Sequence, residues 1–491
     1  MYHVAVSMRN LAPLVLLFAL PLSAQRIDTM KPATFAELAG VAVAPPAGVH
    51  RPHSSRPLVA KRAPLGAIVP QVVVAPYAAA APPVTLGFKA TSSPLPGSTT
   101  GINPADPSGA VGPQHVVGAF NNSVTVHDRG GRQLAVASTT QFWHDPAFPD
   151  TLQYSPRVLY DGASDRWIIA MLTDDGTLQN GALLLAISST GDPTGTWRRY
   201  RSSISGDTRV SADGLRAVLT GSAIVLTANE YLGNDLNGVD VFQIPRATAY
   251  GSGAPPGSRT HFNSLEFDFT PVASNDATAR YFTNAHGFLE QFQIDSTGKL
   301  VNFQSYASPP GLSYEDMTCD QLGAPNSIDC GLGQLQYALL RDGVTWVVQI
   351  ANDGTRSVVL VWKIAGSKTT TYVLSDPAFD DSFPSIAVNR AGTALVGYAT
   401  FSLNTFPSAE YRTIDAAGNV SAPVTVKSGE DFYNDFYWGF YSTTVVDPAD
   451  DLSFWTLQSY STPPVNFKFF TWGAWWSYVR IGASRPRAVR H

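Results

Sequence analysis

The sequence predicts an all-β chain and, within that class, a seven-bladed β-propeller of four-stranded antiparallel blades. Three observations predict it. Period-2 alternation and short Val/Ile/Tyr/Trp runs recur along the chain, whereas the i, i+3, i+4, i+7 spacing of an amphipathic helix persists nowhere beyond the N-terminal apolar run. Aromatic residues make up 11 % and charged residues only 14 %, with 40 Gly and 36 Pro, a mixture suited to short strands joined by turns. One strand–turn–strand phrase is also written seven times, at spacings of roughly 50 to 65 residues, near the period of propeller blades with loop insertions. A six-bladed ring is the alternative, because the first unit can share strands with the last.

The clearest copy runs from Pro384 to Tyr398, where Val388 and Leu395 flank a turn carrying Asn389, Arg390 and Gly392. The others open at Ser108, Arg157, Ala217, Pro271, Tyr337 and Thr443. Third strands follow several of these hairpins, as at Ser123-Val-Thr-Val, Ala182-Leu-Leu-Leu and Ser357-Val-Val-Leu. Fourth strands follow Gly turns at Lys299-Leu-Val-Asn and Asn419-Val-Ser-Ala. Four antiparallel strands per unit make a blade, and blades bury both faces only by stacking on their neighbours. An open sandwich would leave this many strands with bare edges.

Ahead of the repeats, Arg9 precedes an apolar run from Leu11 that ends at Leu22-Ser23-Ala24, the pattern of a secretory signal over residues 1–24, with Met8 an alternative start. The run is too short and proline-marked for a membrane span, and no later segment supplies one. Residues 25–85 are rich in Ala and Pro and are expected to be an extended or disordered spacer or a pro-segment. The propeller is expected over 86–480, followed by a basic tail at 481–491. Net charge is −5 with the basic residues scattered, so no phosphate-binding stripe marks a nucleic-acid partner. A soluble monomer, secreted or periplasmic, is the expected form.

Cys319 and Cys330 are the two cysteines. In an exported chain they most simply form one disulfide that closes a loop before the fifth unit. A thiol nucleophile or zinc site lacks the accompanying Cys-x-x-Cys or histidine cluster, and no His-Glu-x-x-His or Gly-x-Ser-x-Gly occurs.

Several strings read together add a resemblance. Asp106-Pro-Ser-Gly-Ala-Val-Gly-Pro, Tyr160-Asp-Gly-Ala-Ser-Asp-Arg-Trp, Leu226-Thr-Ala-Asn-Glu-Tyr and Trp438-Gly-Phe-Tyr-Ser with Val446-Asp-Pro resemble a group of exported bacterial β-propeller proteins, loosely related to the sialidase-like propellers and mostly without assigned activity. The likeness covers roughly residues 100–465 and implies fold and blade order. Two positions depart from the group's pattern: Phe440 stands where an aspartate usually follows Trp-Gly, and Ser155-Pro156 stands where the second blade usually opens with Asp-Pro. Asp192-Pro-Thr-Gly-Thr-Trp197 also resembles a degenerate aspartate box, a turn in which aspartate accepts from backbone amides and tryptophan packs between blades.

Residues leading into the innermost strands of a propeller converge on one mouth of its channel, where ligands usually bind. Those positions are Asp106, Arg157, Asp207 with Arg209, Glu315 with Asp316, Asp380 with Asp381, and Tyr437, Trp438 and Tyr441. Carboxylates, arginines and aromatics at one mouth suit a glycan, since aromatic faces stack on sugar rings and carboxylates accept from hydroxyls. Asp207, Glu230, Asp380 and Asp381 are the candidate acids of a glycosidic cleavage. Each also has a plainer role: Asp380 and Asp381 in a solvated turn, Asp207 paired with Arg209, and Glu230 capping a turn. Calcium ligation is an alternative for Glu315 and Asp316, without the oxygen spacing of a known loop; no other cofactor or metal is expected. The arginines Arg157, Arg209, Arg341 and Arg412 do not match a sialidase triad residue by residue. The sequence thus supports three functions: a secreted propeller binding an extracellular carbohydrate or protein at its channel mouth, a sialidase-like glycoside hydrolase using paired carboxylates, or a structural surface component.

Overall fold

A computed structural model describes residues 23–24, 27–43, 66–74, 80–95, 101–149, 151–255, 257–263, 268–285, 287–324, 326–331, 333–465 and 471–481. The expected leader over 1–24 and tail over 481–491 lie largely outside these residues. Among the described residues the chain is nearly all strand, and no helix is long and apolar enough to cross a membrane.

Seven antiparallel meanders of four strands follow one another. Sheet 1 holds Ser108–Val111, His115–Ala119, Ser123–Asp128 and Gln133–Ser138; sheet 2 holds Gln153–Asp161, Arg166–Thr173, Ala182–Ser188 and Thr196–Ser203. Sheet 3 begins at Val210–Leu219, sheet 4 at Thr270–Ala273, sheet 5 at Leu335–Arg341 and sheet 6 at Asp380–Val388. Sheet 7 takes Thr443–Val446, Phe454–Ser461 and Trp472–Val479 from the end of the chain, and its fourth strand, Val84–Ser93, from the beginning. The first strand of each sheet packs against the first strand of the next, and that of sheet 7 against that of sheet 1. The seven hairpin phrases of the sequence fall one in each sheet, on its first two strands.

The turns form where side chains can replace backbone partners. Asn389 Oδ1 accepts from the amides of Ala391 and Thr393, both at 3.0 Å. Asp161 and Asp447 accept in the same way in their own first hairpins. An Asp-x-x-Gly turn joins the third and fourth strands of sheets 1, 4 and 6, at Asp128, Asp295 and Asp415. Asp192 accepts from the Thr194 amide at 2.9 Å, while Trp197 is fully buried between sheets 1 and 2.

Apolar layers fill the spaces between sheets. Trp167, Ile169, Val117 and Val126 pack between sheets 1 and 2; Trp346, Val361, Ile386 and Val396 pack between sheets 5 and 6. At the seam of sheets 7 and 1, a Cβ on Gly109 would fall inside the Trp476 ring, so only glycine admits that approach.

The spacer expected over 25–85 is not wholly unstructured. Asp28–Thr29 and Ala33–Thr34 pair with the outer strand of sheet 2, and Gln71–Val73 pairs with the outer strand of sheet 5. The helix Phe35–Ala39 is closed by a reciprocal Thr34–Glu37 capping box. Met30, Phe35 and Leu38 are buried in the layer between sheets 1 and 2. Apolar side chains at this spacing gain more by burial than the surrounding prolines lose in ladder bonds, and the added strands cover sheet edges.

A chain shortened to begin at residue 95 should fail to fold, because Trp472–Val479 becomes an open edge. One beginning at residue 44 should fold with lower stability, since Phe35 alone is worth about 3–5 kcal/mol on truncation to alanine. Circular dichroism and urea denaturation of the two shortened chains check both, and cooperative folding of the shorter one would contradict the first.

Candidate functional site

Residues from the first strands of all seven sheets line one cavity of about 320 Å³, among them Ser108, Val158, Ala217, Thr270, Tyr337, Ser385 and Thr444. Toward the ends of these strands it shares Tyr160, Leu219, Ala273 and Val446 with a wider basin of about 1380 Å³. The first-hairpin turns bound that basin, through Asp161, Asp276, Asp342 and Asp451. Arginine lies within ion-pair distance of all four: Arg246 to Asp161 and Arg341 to Asp451 at 2.5 Å each, Arg280 to Asp276 at 2.7 Å, and Arg341 more loosely to the exposed Asp342 at 3.7 Å.

The opposite end, toward the strand starts, is closed. There the first strands of sheets 2, 3 and 6 each carry a bulge with one residue at positive φ, namely Ser155 (52°), Gly214 (69°) and Phe383 (52°). The bulges turn polar groups sideways into a buried belt that crosses from sheet to sheet. The Phe440 amide donates to Asp106 Oδ1 at 2.8 Å, and Asn121 Nδ2 donates to Asp106 Oδ2 at 2.9 Å. The Ser155 amide donates to Asn121 Oδ1 at 3.1 Å, and Ser155 Oγ to Asp213 Oδ1 at 2.9 Å. Arg216 Nη1 and Asn229 Nδ2 both donate to Asp268 Oδ1, at 2.8 and 2.9 Å, and Arg216 Nη2 reaches the Leu335 carbonyl at 2.7 Å.

Arg157 sits at this closed end with Arg216 and Tyr441. Its guanidinium carbon lies 3.4 Å from the Tyr441 ring centre, and Nη1 donates to the Pro156 carbonyl at 3.1 Å. No carboxylate among the described residues lies within ion-pair distance of it, whereas Arg216 is paired with Asp268. Burial lowers the Arg157 pKa to about 10; Tyr441 and Asp106 oppose that shift, and Arg216 adds to it. The group stays charged at neutral pH, in a cavity, with Asp106 acting on it from beyond ion-pair distance.

The residues singled out in the sequence are placed apart. Asp106 belongs to the buried belt, and Trp438 is 3 % exposed, edge-on to Phe401 and Tyr433, so the expected open mouth of acids and aromatics at the strand starts is instead a packed floor. Tyr441 faces the cavity from that floor, and Tyr437 is half-buried outside it, bridged to Asp329. Asp207 and Arg209 are exposed and bind each other at 2.6 Å. Glu315 and Asp316 are exposed on the insertion, which the Cys319–Cys330 disulfide closes beneath them; both cysteines are buried in the layer holding Phe383, Phe401 and Trp438. Asp380 accepts from the Ser357 amide at 3.0 Å, while Asp381 is buried with Arg412 3.7 Å away.

Glu230 lies on sheet 3 away from the cavity, in a buried group with Asp240 and His261 whose ligating atoms fall within 4.8 Å of one another. Arg259 Nη2 already bridges the two carboxylates, at 2.7 and 2.8 Å. Burial alone would lower the His261 pKa, but its bond to Asp240 and the field of Glu230 outweigh that and raise it. Arg259 thus already occupies the space between the two carboxylates, where a shared metal ion would have to sit. Sequence reasoning missed Asp213, Arg216, Asn229 and Asp268; Asp213-Gly-Leu-Arg216 repeats the bulge position of Ser155-Pro-Arg157, a signal visible only once the two strands are aligned.

No protein-family profile and no curated protein sequence matches the chain. Solved structures do. A Dyadobacter fermentans protein of unknown function matches with TM-score 0.39 and 10 % identity, over 66 % of this chain and 94 % of its own. The α-L-arabinofuranosidase Arb93A of Fusarium graminearum gives TM-score 0.38 and 12 % identity, over 81 % of this chain and 98 % of its own. A Trypanosoma rangeli sialidase gives 0.38 and 11 %, over 76 % and 59 %. Likenesses at this level leave the function of this chain to its own geometry.

Asp381 supplies a test of the buried electrostatics. Burial pushes its carboxyl up to about 7, with Arg412 at 3.7 Å opposing only in part. The folded chain therefore keeps a proton that the unfolded chain releases above about pH 4. Its contribution makes stability fall as pH rises from about 4 to about 7 and flatten above that. Urea midpoints across this range should slope less in Asp381→Asn than in the parent; parallel slopes would contradict the assignment.

Proposed function

We propose that the chain is a secreted seven-bladed β-propeller that binds a carboxylate-bearing carbohydrate in its central cavity and does not cleave it. Arg157 carries the reading. A half-buried guanidinium that lines a cavity with no carboxylate among the described residues at ion-pair distance is open to an anionic ligand, and its planar fork matches a carboxylate. Tyr441 beneath it and Tyr337 on the wall offer ring faces, while Gln336, Ser385 and Thr444 offer hydrogen bonds of the kind sugar hydroxyls use. The ligand enters from the hairpin-turn side, through the basin rimmed by Arg246, Arg280 and Arg341.

Closure of the seven sheets into a ring is part of the proposal, supported by the circular contact of their first strands and by the N-terminal strand in sheet 7. Export is supported by the leader-like run ending at Ala24 and by the disulfide. Cleavage of a glycosidic bond needs two carboxyls flanking it. The inner cavity is lined instead by hydroxyls, an amide and two arginines, and the carboxylates Asp161, Asp276 and Asp451 at the basin are held by arginine.

Titration calorimetry with glucuronate and galacturonate against glucose and galactose tests the reading. The acids should bind more tightly, and Arg157→Gln should weaken them about tenfold to a hundredfold, as expected for a lost charged hydrogen bond. Arg157→Lys, which keeps the charge but not the fork, should fall between. Equal affinity for neutral sugars, unchanged binding by Arg157→Gln, or release of reducing ends from oligouronides would each overturn it.

A further inference from the structure

A second cavity, of about 290 Å³, opens on the side of sheet 6 and shares no lining residue with the central one. Its walls include Phe379, Phe406 and Leu322; Thr400, Thr425 and Glu410 line its polar side. Glu410 Oε1 accepts from Thr425 Oγ1 at 3.1 Å and Oε2 from Tyr398 OH at 3.4 Å, and no cation among the described residues pairs with it. Thr400 is 1 % exposed and lines the cavity, and its hydroxyl has no partner at close hydrogen-bond distance among the described residues, Asp381 across the ladder being the acid it interacts with. Asp381 stands directly opposite Thr400 in the neighbouring strand, with Arg412 Nη2 3.7 Å from its carboxyl.

Arg412 faces Asp381 at 3.7 Å and donates to Tyr398 OH and the Ser375 carbonyl at 2.9 and 3.2 Å, which leaves Glu410 as the acid of this cavity that no cation pairs among the described residues. Burial raises both Glu410 and Asp381, with Arg412 countering only part of the shift. A cavity with one carboxyl group that no cation pairs, a buried hydroxyl and two phenyl walls has the composition that takes up a cation with an apolar body.

We propose that this side cavity binds a small organic ammonium ion, its N–H groups donating to Glu410 and Thr400 and its carbon body lying against Phe379 and Phe406. The site stands independently of the central cavity, whose closed end carries the opposite charge.

Titration calorimetry on the full chain with benzylammonium, and with benzyl alcohol as its uncharged counterpart, tests the site. The ammonium ion should bind at least about tenfold more tightly than the alcohol, and Glu410→Gln should remove that difference, as loss of a charged partner implies. If Glu410→Gln does not fold, Phe406→Leu reads the same cavity and should weaken the ammonium ion severalfold. Equal binding of the two probes, no saturable binding of benzylammonium at millimolar concentration, or full affinity in a folded Glu410→Gln or Phe406→Leu protein would overturn the proposal.

Discussion

The architecture depends on one pairing: Val84–Ser93 with Trp472–Val479, from Val84 opposite Val479 to Ser93 opposite Trp472. It joins two segments almost four hundred residues apart in sequence, and without it the last sheet has three strands and an open edge. Because it is held, sheet 7 is complete and Trp476 lies against Gly109 of sheet 1. Residues from the first strands of all seven sheets line one cavity. Every statement about a shared cavity inherits this contact.

A second constraint shapes what the hollow can do. Bulges at Ser155, Gly214 and Phe383 interrupt the ladders near the strand starts, and the polar groups they free meet protein partners: the Ser155 amide donates to Asn121, the Gly214 amide to Asp213, and the Phe383 carbonyl accepts from Ser442. That network makes the strand-start end a floor and leaves the hairpin-turn end as the way in. Arg157 is the member of this region left without an acid, while Arg216 nearby is tied to Asp268 and the Leu335 carbonyl. The contrast between the two arginines separates the group on which the proposed site rests from a structural ion pair.

Much of the fold was legible. The seven hairpin phrases carry turn chemistry that stands out locally, such as Asn389 ahead of Gly392, and each coincides with the opening strands of a sheet. The N-terminal layer was less legible because Pro and Ala dominate its composition. Yet Thr34-Phe-Ala-Glu37 is a capping box written in four residues, and Met30, Phe35 and Leu38 are the apolar contacts that seat it. The site was harder, for a geometric reason. Aspartates and aromatics ahead of inner strands can point into an open mouth or fold back into a belt, and the bulge that decides between them adds one residue without a distinctive composition. Arg157 and Tyr441 were nominated and do face one cavity; Trp438 and Asp106 were nominated with them and are buried beside it; Asp207, Glu230 and Asp380 each found a local partner.

The most direct test of the central claim is a crystal structure of the full chain grown with glucuronate. The account predicts the sugar inside the hollow ringed by the seven first strands, its carboxylate forked on Arg157 and its ring toward the basin. A sugar bound at the strand-start face, or a carboxylate held by surface residues with Arg157 untouched, would contradict it.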